Sequence, residues 1–552
     1  MRKTKIEIAR LVYKPKLPAS LRQGITIKTG AISEPESDRE ELKKLFPNTY
    51  GLPLVSVESG EEAKFPAINV GVILSGGQAP GGHNVISGLY DGLRHFNSRS
   101  RLYGFIGGPS GLVDHKYIEL QHDMVDECRN TGGFDMIGSG RTKLETKDQF
   151  DSGAAICKEL GISAIVIIGG DDSNTNACVL AEYYASNNLG IQVIGCPKTI
   201  DGDLKNEYIE TSFGFDTACK VYSELIGNVQ RDAISAKKYW HFVRLMGRSA
   251  SHITLECALQ TQPNVTFISE EIKERGMSLD DIVDVIVQSV VKRGNDGLNF
   301  GTVLVPEGLI EFIPEMSKLI DELNDAVAQS SEEFNQLPTD DDKKYYIMQS
   351  LSPESRDVYL RLPHKIANQL TLDRDPHGNV QVSLIETEKL LIQLVSQKLK
   401  KMKESGEYKG KFNTISHFFG YEGRCSYPTN FDADYSYSLG FTAAALIVEG
   451  KTGYMSNIRH LTAPATEWVA GGVPLTTMMH MEKRKGELKP VIEKSLVNLD
   501  DNPFRYYAAN REMWADSSNT YLYPGPIQYY GPEQICDATT ETLSLEHPYN
   551  HM

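Results

Sequence analysis

Four aspartates and a lysine follow two consecutive apolar runs of the chain. They are Asp171 and Asp172 after the first run, and Lys198, Asp201 and Asp203 after the second. Because ligands bind at the carboxyl ends of the strands in open parallel sheets, we expect these side chains to meet at one edge of a sheet. Four carboxylates and an ammonium group at that edge indicate a metal ion, a phosphate and a proton acceptor.

The elements that must hold these residues form a strand–helix–strand pattern. Residues 164–168 and 191–196 are short apolar runs, typical of buried parallel strands. The Gly-Gly pair at 169–170 allows a sharp turn after the first strand. The Ser-Asn-Thr sequence at 173–175 supplies candidate N-cap oxygens for a helix that continues to about residue 185. The pattern therefore delivers acidic residues from two successive strand ends.

A glycine-rich turn, residues 75–84, follows the first strong strand pattern at 68–74 and precedes a predicted helix. The turn includes Gly76 and Gly77. Such a geometry points free backbone N–H groups at an anion, so phosphate binding is favoured over a plain tight turn. No Gly-Lys-Ser/Thr sequence follows, which excludes a Walker A loop. Arg141, in a later glycine-rich loop, is a candidate phosphate clamp, although a loop arginine can also be merely solvated.

Composition excludes several classes of protein. The chain has 552 residues and a formal net charge of −16, which argues against a general nucleic-acid binder. The eight cysteines are scattered without a C-x-x-C pair, so a zinc site is not indicated and a reducing cytosol is favoured. No apolar run is long enough to span a membrane, and no signal peptide is recognised. We expect no nucleic-acid or membrane partner.

The repeated pattern of strand, glycine-rich or charged loop and helix predicts an α/β protein with two doubly wound, Rossmann-like domains. The predicted segments are an N-terminal arm at 1–67, a first α/β domain at 68–212 completed by part of 425–510, a second α/β domain at 213–424, and a C-terminal segment at 425–552 that packs on both domains.

Two segments of the later chain have a different character. From about 309 to 411 apolar residues recur at helical spacing, which predicts a mostly helical insertion with a solvated charged face. A turn at 373–378 interrupts this insertion. Residues 468–474 are also interpreted as a turn, in which small residues allow close backbone packing, and we assign them no chemistry.

Six motifs, in family order, resemble those of the phosphofructokinases, and in particular of their long, pyrophosphate-dependent form. The motifs are Ser75-Gly76-Gly77 with Ala79-Pro80-Gly81, Gly169-Gly170-Asp171-Asp172-Ser173, Pro197-Lys198-Thr199-Ile200-Asp201-Gly202-Asp203, Met246-Gly247-Arg248, Pro306-Glu307-Gly308 and Gly420-Tyr421-Glu422-Gly423-Arg424. The resemblance covers about residues 68–510. It implies two phosphofructokinase domains and reversible phosphoryl transfer from pyrophosphate to the 1-hydroxyl of fructose 6-phosphate, in glycolysis and gluconeogenesis.

The resemblance also implies roles for matching residues on the donor side. Asp201 resembles the catalytic base that accepts the proton of the sugar 1-hydroxyl, and Asp203 would orient that base or help to hold the metal. Asp171 resembles the ligand of a Mg²⁺ ion. Gly76 and Gly77 resemble the cradle for the donor diphosphate, where Arg141 and Lys198 would stabilise phosphate oxygens as they gain charge.

On the sugar side, the resemblance implies a fructose 6-phosphate pocket. Its residues would be Thr199, Ile200, Asp201, Met246, Gly247, Arg248, Glu307, Tyr421, Glu422, Gly423 and Arg424. The two arginines would grip the 6-phosphate, and Glu307 would accept hydrogen bonds from sugar hydroxyls. Family members also lend residues to this pocket across a subunit interface, and the matching positions are Lys238 and Tyr239. A homodimer with shared pockets is expected, although dimer and tetramer remain open.

The choice of donor depends on Asp172 and Lys198. In ATP-using relatives the residue after the Gly-Gly-Asp sequence is glycine, which leaves room for the nucleotide α-phosphate. The carboxylate of Asp172 would repel and obstruct that phosphate, and Lys198 matches the lysine of pyrophosphate users. We therefore count both among the catalytic residues. The alternative functions are an ATP-dependent 6-phosphofructokinase and a catalytically silent regulatory subunit. The alternative role of Asp172 is structural, as the N-cap of a helix.

Overall fold

The structure is a computed structural model that describes residues 4–61, 63–329, 336–372, 380–484, 487–516 and 520–526. The early strands are β1 Ile25–Ile32, β2 Pro53–Ser59, β3 Asn69–Leu74, β4 Arg101–Phe105, β5 Tyr117–Glu119, β6 Ile162–Gly169, β7 Gln192–Thr199 and β8 Phe213–Gly214. The later strands are β9 Tyr239–Leu245, β10 Val265–Thr266, β11 Phe300–Pro306, β12 Thr414–Phe419, β13 Tyr454–Arg459, β14 Val469–Pro474, β15 Met479–Arg484 and β16 Glu487–Ile492.

The helices alternate with these strands over much of the chain. The earlier helices are α1 Lys5–Leu11, α2 Arg39–Leu45, α3 Gly82–Phe96, α4 Pro109–Val113, α5 His122–Glu127, α6 Lys147–Leu160, α7 Asp171–Ser186, α8 Phe215–Ala236, α9 His252–Thr261, α10 Ser269–Glu274 and α11 Leu279–Asn295. The later helices are α12 Leu309–Phe312, α13 Pro314–Gln329, α14 Asp340–Ser350, α15 Pro353–Arg361, α16 His364–Leu372, α17 Thr387–Ser405, α18 Tyr421–Arg424, α19 Asn430–Val448 and α20 Asn502–Asp516. None of the described helices is both long and apolar enough to cross a membrane.

The larger sheet has ten strands in the order β1-β2-β14-β13-β7-β6-β3-β4-β5, and β8 pairs with β7. Its centre, from β13 through β7, β6 and β3 to β4, is parallel. Pairing is antiparallel at both edges. The central strands are almost completely buried, as expected for a parallel sheet covered on both faces. This sheet confirms the predicted doubly wound α/β architecture.

Two sequence segments take part in the larger sheet in ways that the residue pattern did not predict. Strands β1 and β2, within the segment described above as an N-terminal arm, pair with each other and extend the sheet beyond β14. The interpretation of 468–474 as a turn is wrong, because 469–474 form strand β14. Its glycines nevertheless permit close packing, since a Cβ on Gly471 would lie 2.4 Å from the carbonyl oxygen of Val55.

The smaller sheet is parallel, with four strands in the order β10-β11-β9-β12. Helices α12 to α17 form the predicted helical insertion and pack against this sheet through a shared hydrophobic core. Trp240 and Phe242 of β9 share a hydrophobic core with α11, α13 and α17. A buried ion pair between Arg244 Nε and Glu388 Oε2, 2.8 Å apart, also joins β9 to α17. The predicted turn at 373–378 lies outside the described residues.

Helices α3 and α19 pack against each other beside the larger sheet, whereas α8 and the C-terminal part of the chain connect that sheet to the smaller one. Helices α3 and α19 cross at very short distance, because Gly88 and Gly440 lack side chains where each faces a backbone carbonyl of the other helix. A buried carboxylate, Asp432, accepts hydrogen bonds from Gly214 N and Thr217 N at the beginning of α8, the helix that leads to the smaller sheet. The chain then passes from β14 through the β15–β16 hairpin to α20, where Tyr507 donates a hydrogen bond to the carbonyl of Thr266.

Candidate active site

A cavity of about 430 Å³ lies at the carboxyl ends of β3, β6 and β7. Its lining contains four acidic side chains, those of Asp171, Asp172, Asp201 and Asp203. It also contains six basic ones, those of Arg141, Lys143, Lys198, Arg248, Arg424 and Lys494. The excess of basic groups suits a strongly anionic ligand. The position at the strand ends agrees with the general rule for ligand sites in parallel sheets.

The glycine-rich turn after β3 forms one wall of the cavity. Gly76 has φ +84°, in the left-handed region that glycine adopts without strain. The ammonium of Lys198, at the end of β7, donates a hydrogen bond of 2.8 Å to the carbonyl oxygen of Gly77. Ser75 accepts a hydrogen bond from Ser173 Oγ across the neighbouring strand end. The four predicted diphosphate-binding residues, Gly76, Gly77, Arg141 and Lys198, therefore all line this cavity.

Helix α7 begins earlier than the sequence pattern indicated. Its N-cap is Gly170, without a side-chain cap, and Asp171 and Asp172 occupy its first turn. The prediction of an N-cap at 173–175 is wrong, because these residues already belong to the helix. The side-chain amide of Asn174 instead donates hydrogen bonds to the carbonyls of Gly169 and Gly170. Both aspartates consequently lie at the positive end of a helix, where carboxylates are stabilised.

Asp201 combines a pocket position with a buried carboxylate oxygen. The residue is half-buried, but Oδ1 is buried and has no hydrogen-bond partner within the described part of the chain. Burial raises the pKa of this carboxyl above its usual range, and the positive charges of Arg424 and Lys198 offset only part of that effect. Its backbone N–H donates to Thr199 Oγ1, which fixes the loop. A carboxylate in these surroundings is well suited to accept a proton.

Burial also shifts the pKa values of two neighbouring groups, Asp203 and Lys198. The pKa of Asp203 is raised to about 7, first by burial and then by the negative charges of Asp201 and Asp171. The pKa of Lys198 is lowered to about 8, by burial and by the nearby Arg424 guanidinium. Clustered shifts of this kind are typical of functional sites. Burial is the largest cause of both shifts, and like charges nearby are the second, so a bound ligand of the opposite charge would stabilise each ionised group.

Arg424 and Arg248 line the cavity from two segments that follow strands of the smaller sheet: Arg424 ends the short helix α18 after β12, and Arg248 lies in the loop after β9. The guanidinium of Arg424 lies against Gly77, since a Cβ there would be 2.9 Å from Nη1. Its Nε is buried without a partner among the described residues. Arg248 is half-exposed and its guanidinium pairs with Glu311 at 3.1 Å. Arg424 is therefore within reach of both the glycine-rich turn and the sugar side.

Several predicted sugar-site residues surround the cavity without lining it. Glu307 is buried and accepts a hydrogen bond from Gly247 N, and burial raises the pKa of its carboxyl above the usual value. Met246 contacts the loop at Gly420, whose N–H donates to Glu422 Oε2. Of the other predicted sugar-site residues that do not line the cavity, Gly423 is buried and Tyr421 is 69% exposed. Thr199 and Ile200, by contrast, belong to the cavity lining.

Lys238 and Tyr239 lie far from the cavity of their own chain. Tyr239 begins β9, whereas the sugar-side loop at Met246 follows the carboxyl end of the same strand. A strand of seven residues spans about 20 Å at roughly 3.3 Å per residue. Tyr239 also has φ +75°, an unusual conformation for an aromatic residue that tends to occur at functional positions.

The cavity contains residues that the sequence reasoning missed. They are Gln78, Thr142, Lys143, Asn176, Ser249 and Lys494. Lys143 lies 3.6 Å from Asp172, and the Asn176 side chain bonds the backbone of Leu144. Lys494 follows the β15–β16 hairpin, far from every motif in the sequence. Only its basic character could have drawn attention to it, and that character is shared by many surface residues.

Asp171 and Asp203 are the residues that could hold a metal ion. Within the described chain, no group of three or more His, Cys, Asp or Glu side chains is arranged to hold one. Mg²⁺ in phosphoryl-transfer sites, however, is commonly bound by one or two carboxylates together with substrate phosphates. Asp203 has a pKa of about 7 partly because Asp171 is close, so a cation between them would be stabilised. The donor set thus fits Mg²⁺ bound together with a phosphate.

Comparison with known proteins adds evidence over the full chain. The sequence model of the family described as Phosphofructokinase matches residues 69–447. A pyrophosphate–fructose 6-phosphate 1-phosphotransferase from Porphyromonas gingivalis is 59% identical over 547 residues, 99% of each chain. A protein of the same name from Treponema pallidum (strain Nichols) is 52% identical over 549 residues, which cover 97% of this chain and 96% of that one. The solved structure of a pyrophosphate-dependent phosphofructokinase from Marinobacter aquaeolei has a TM-score of 0.53 at 14% identity, over 82% of this chain and 92% of the other, and supports the fold.

Proposed function

The chain belongs to the phosphofructokinase family, and we propose that it transfers a phosphoryl group reversibly from pyrophosphate to the 1-hydroxyl of fructose 6-phosphate. The products are fructose 1,6-bisphosphate and phosphate, and the enzyme is a phosphotransferase with an alcohol acceptor. The observation that carries the proposal is the cavity in which a glycine-rich turn, six basic side chains and four aspartates converge. We place the reaction in glycolysis and gluconeogenesis. The seven cysteines of the described chain are all free, which supports a reducing compartment such as the cytoplasm.

Asp201 acts as the general base in this proposal. Its carboxylate faces the cavity, and burial raises its pKa toward the range in which proton transfer is efficient. The sugar hydroxyl gives its proton to Asp201 as its oxygen attacks phosphorus. Lys198, Arg141 and Arg424 stabilise the negative charge of the donor and of the phosphate that leaves. The bond to the bridging oxygen of pyrophosphate breaks, and its electron pair remains on inorganic phosphate.

Pyrophosphate is the donor that fits Asp172. This residue lines the cavity from the first turn of α7, and its side chain is 49% exposed toward the cavity and solvent. A carboxylate about 4 Å from an added phosphate repels it by up to about 4 kcal/mol at an effective dielectric constant near 20. Partial exposure and the nearby Lys143 reduce this to about 1–3 kcal/mol. Pyrophosphate, which lacks a third phosphate and a nucleoside, escapes this penalty.

Mg²⁺ is the proposed metal, and Asp171 is its proposed ligand, with Asp203 nearby. Bound there, the ion would neutralise charge on the phosphate oxygens. The two carboxylates keep their orientation through the backbone: Asp171 is in the first turn of α7, and the Asp203 carbonyl accepts a hydrogen bond of 2.7 Å from Ser495 N. The protein therefore holds the proposed ligands on two separately anchored segments.

A homodimer with shared pockets is the proposed assembly. Lys238 and Tyr239 lie at the end of β9 opposite to the cavity, so their side chains do not reach the sugar side of their own chain. In a dimer with twofold symmetry, Lys238 and Tyr239 of each chain can contribute to the sugar side of the other chain's cavity. The unusual backbone conformation of Tyr239 supports a functional role for this segment.

The test of the function is a pair of assays on the purified chain. Formation of fructose 1,6-bisphosphate is measured with fructose 6-phosphate and Mg²⁺, once with pyrophosphate and once with ATP. We expect turnover with pyrophosphate and, from fructose 1,6-bisphosphate and phosphate, turnover in reverse. Equal or greater activity with ATP would contradict the donor assignment, and inactivity with both donors would favour a silent subunit.

Asp172→Gly tests the donor assignment directly, alone or together with Lys198→Gly. The single substitution should raise kcat/KM for ATP by about 5–150-fold, corresponding to the roughly 1–3 kcal/mol of repulsion removed, while activity with pyrophosphate falls. Asp148→Gly is a matched control, because Asp148 is likewise the second residue of a helix, α6, and is exposed. Both substitutions weaken a helix N-terminus by about 1 kcal/mol. A similar gain of ATP activity in both variants would refute the explanation.

A further inference from the structure

Lys494 reaches the cavity from the C-terminal part of the chain, outside all six motifs. Its ammonium donates a hydrogen bond of 3.0 Å to Ser249 Oγ and lies 3.6 Å from Asp171 Oδ2. Its side chain is 38% exposed, and that exposed surface contributes to the cavity lining. Asp171 belongs to the donor side and Ser249 follows Arg248 on the sugar side. The ammonium therefore stands where the two sides of the cavity meet.

The backbone on both sides of Lys494 is fixed to both domains. Ile492 N donates a hydrogen bond to Thr175 Oγ1 in α7, and Ser495 N donates to the carbonyl of Asp203. The carbonyl of Ser495 contacts His252 Nε2 in α9 at 2.9 Å. Val497 N donates to Glu270 Oε1 in α10. These bonds hold the segment across the cleft, so the position of the ammonium is set before a substrate arrives.

Two other cations of the cavity, the buried Lys198 and the half-buried Arg424, lie at a different part of its wall. Lys198 and Arg424 are both placed against Gly77, in the glycine-rich turn. Lys494 is placed instead beside Asp171 and Ser249. An anionic group in the middle of the cavity is thus faced by positive charge from two directions. An ammonium has three N–H donors, so a bond to Ser249 leaves capacity for phosphate oxygens.

We propose that Lys494 is a further catalytic residue, whose ammonium contacts the oxygens of the phosphoryl group while it passes between pyrophosphate and the sugar. The proposal rests on the proposed function. In the step, the bond between phosphorus and the bridging oxygen breaks while the bond from the sugar oxygen forms. The proton goes to Asp201 and the electron pair goes to the leaving phosphate. Lys494 keeps its proton and forms no covalent bond.

The physical reason is the distribution of charge in the transition state. Negative charge spreads over the equatorial oxygens of the phosphoryl group in transfer and over the attacking and leaving oxygens. A fixed cation at the junction of the two subsites interacts with that arrangement more strongly than with either substrate alone. Its removal is therefore expected to lower kcat far more than it changes the KM values.

Lys494→Met is the test, with the unmodified enzyme assayed beside it. We expect kcat to fall about 10²–10³-fold in both directions, as for removal of one transition-state donor, while KM for fructose 6-phosphate and pyrophosphate changes less than about threefold. Lys494→Arg, which keeps the charge, should recover part of the loss. Calorimetric titration of fructose 6-phosphate should show unchanged binding. Lys483→Met in strand β15, which is exposed, is the control and should retain full activity.

Three results would overturn the inference: an unchanged kcat in Lys494→Met, a rise in KM alone, or an equal loss in Lys494→Met and Lys494→Arg. If Lys494→Met has a lower melting temperature than the unmodified enzyme, Lys494→Gln replaces it, because the amide keeps a donor for Ser249 without the charge. Inactivity of the unmodified enzyme with pyrophosphate would instead refute the proposed function. The two failures are therefore distinguishable.

Discussion

Replacement of Asp201 by Asn should lower activity and raise stability together. The carboxylate lines the cavity, and its Oδ1 is buried without a hydrogen-bond partner in the described chain. Asn has nearly the same shape but cannot accept a proton from the sugar hydroxyl. The substitution thus removes the proposed base and, in the same step, a buried negative charge. These two consequences have opposite signs and are measured separately.

The loss of activity follows from the role of a general base. Removal of such a group typically costs about 10²–10⁴-fold in rate. We expect kcat to fall at least about 10²-fold, with KM for fructose 6-phosphate changed by less than about threefold, because the arginines that hold the phosphate are untouched. Steady-state kinetics in both directions measure this, and equilibrium binding of fructose 6-phosphate checks that the sugar pocket is intact.

The gain in stability follows from the raised pKa of Asp201. Burial, the largest cause, disfavours the ionised form more than Arg424 and Lys198 favour it. Above the raised pKa the ionised carboxylate therefore destabilises the folded chain, and this penalty is absent below the ordinary aspartate value of about 3.9. Asp201→Asn should be more stable by about 0.5–2 kcal/mol at neutral pH, and the difference should shrink as the pH falls toward about 4.

Thermal unfolding of both proteins from pH 4 to pH 8 is the assay for stability. Asp151→Asn is the matched control, because Asp151 is exposed and bound to Lys147 and Tyr183, which lower the pKa of its carboxyl. That variant should keep full activity and should not gain stability. An Asp201→Asn variant with near-normal kcat would refute the general-base role. A variant with reduced stability at neutral pH would refute the account of its buried charge.

Two further predictions concern the sugar phosphate and the second chain. Arg248→Ala and Arg424→Ala should each weaken the binding of fructose 6-phosphate by about 2–4 kcal/mol, the value for a shielded bidentate contact, and so raise its KM by about 30–900-fold. Arg424→Ala should also raise KM for pyrophosphate, because its guanidinium lies against the glycine-rich turn. A rise in KM for the donor alone would reverse the assignment of the two subsites. If Tyr239 acts in the pocket of a partner chain, refolding inactive Asp201→Asn and Tyr239→Ala chains together should restore up to about a quarter of normal activity, since half of randomly formed dimers are mixed and each has one intact site. No recovery in verified mixed dimers would contradict shared pockets.

The fold was largely predictable because its strands are short apolar runs that end in glycine or charged residues. Predicted strands at 164–168 and 191–196 correspond to β6 and β7. The same reasoning failed at 469–474, where two glycines in a strand resemble a turn, and a glycine-rich strand is recognisable only from the backbone that packs against it. The pairing of β2 with β14 joins parts of the chain that are far apart in the sequence, and no local pattern encodes that contact.

The candidate site was predictable to the extent that its residues stand in local motifs. Asp171, Asp172, Lys198 and Asp201 follow strands that are neighbours in the sheet, so chain order and spatial order coincide there. Lys494 carries no such signal, because it enters the cavity through hydrogen bonds between the C-terminal segment and both domains. Its position depends on the assembled fold.

The separation of the two sides of the cavity has a consequence for specificity. Asp172, the residue expected to exclude ATP, is on α7, whereas Arg248 and Glu307 are on loops that follow strands of the smaller sheet. Side chains on different elements can be exchanged without disturbing each other's backbone. A change of donor through Asp172 should therefore leave KM for fructose 6-phosphate nearly unchanged. Lys494 is the exception, since it touches both sides, and its removal should affect turnover whichever donor is used.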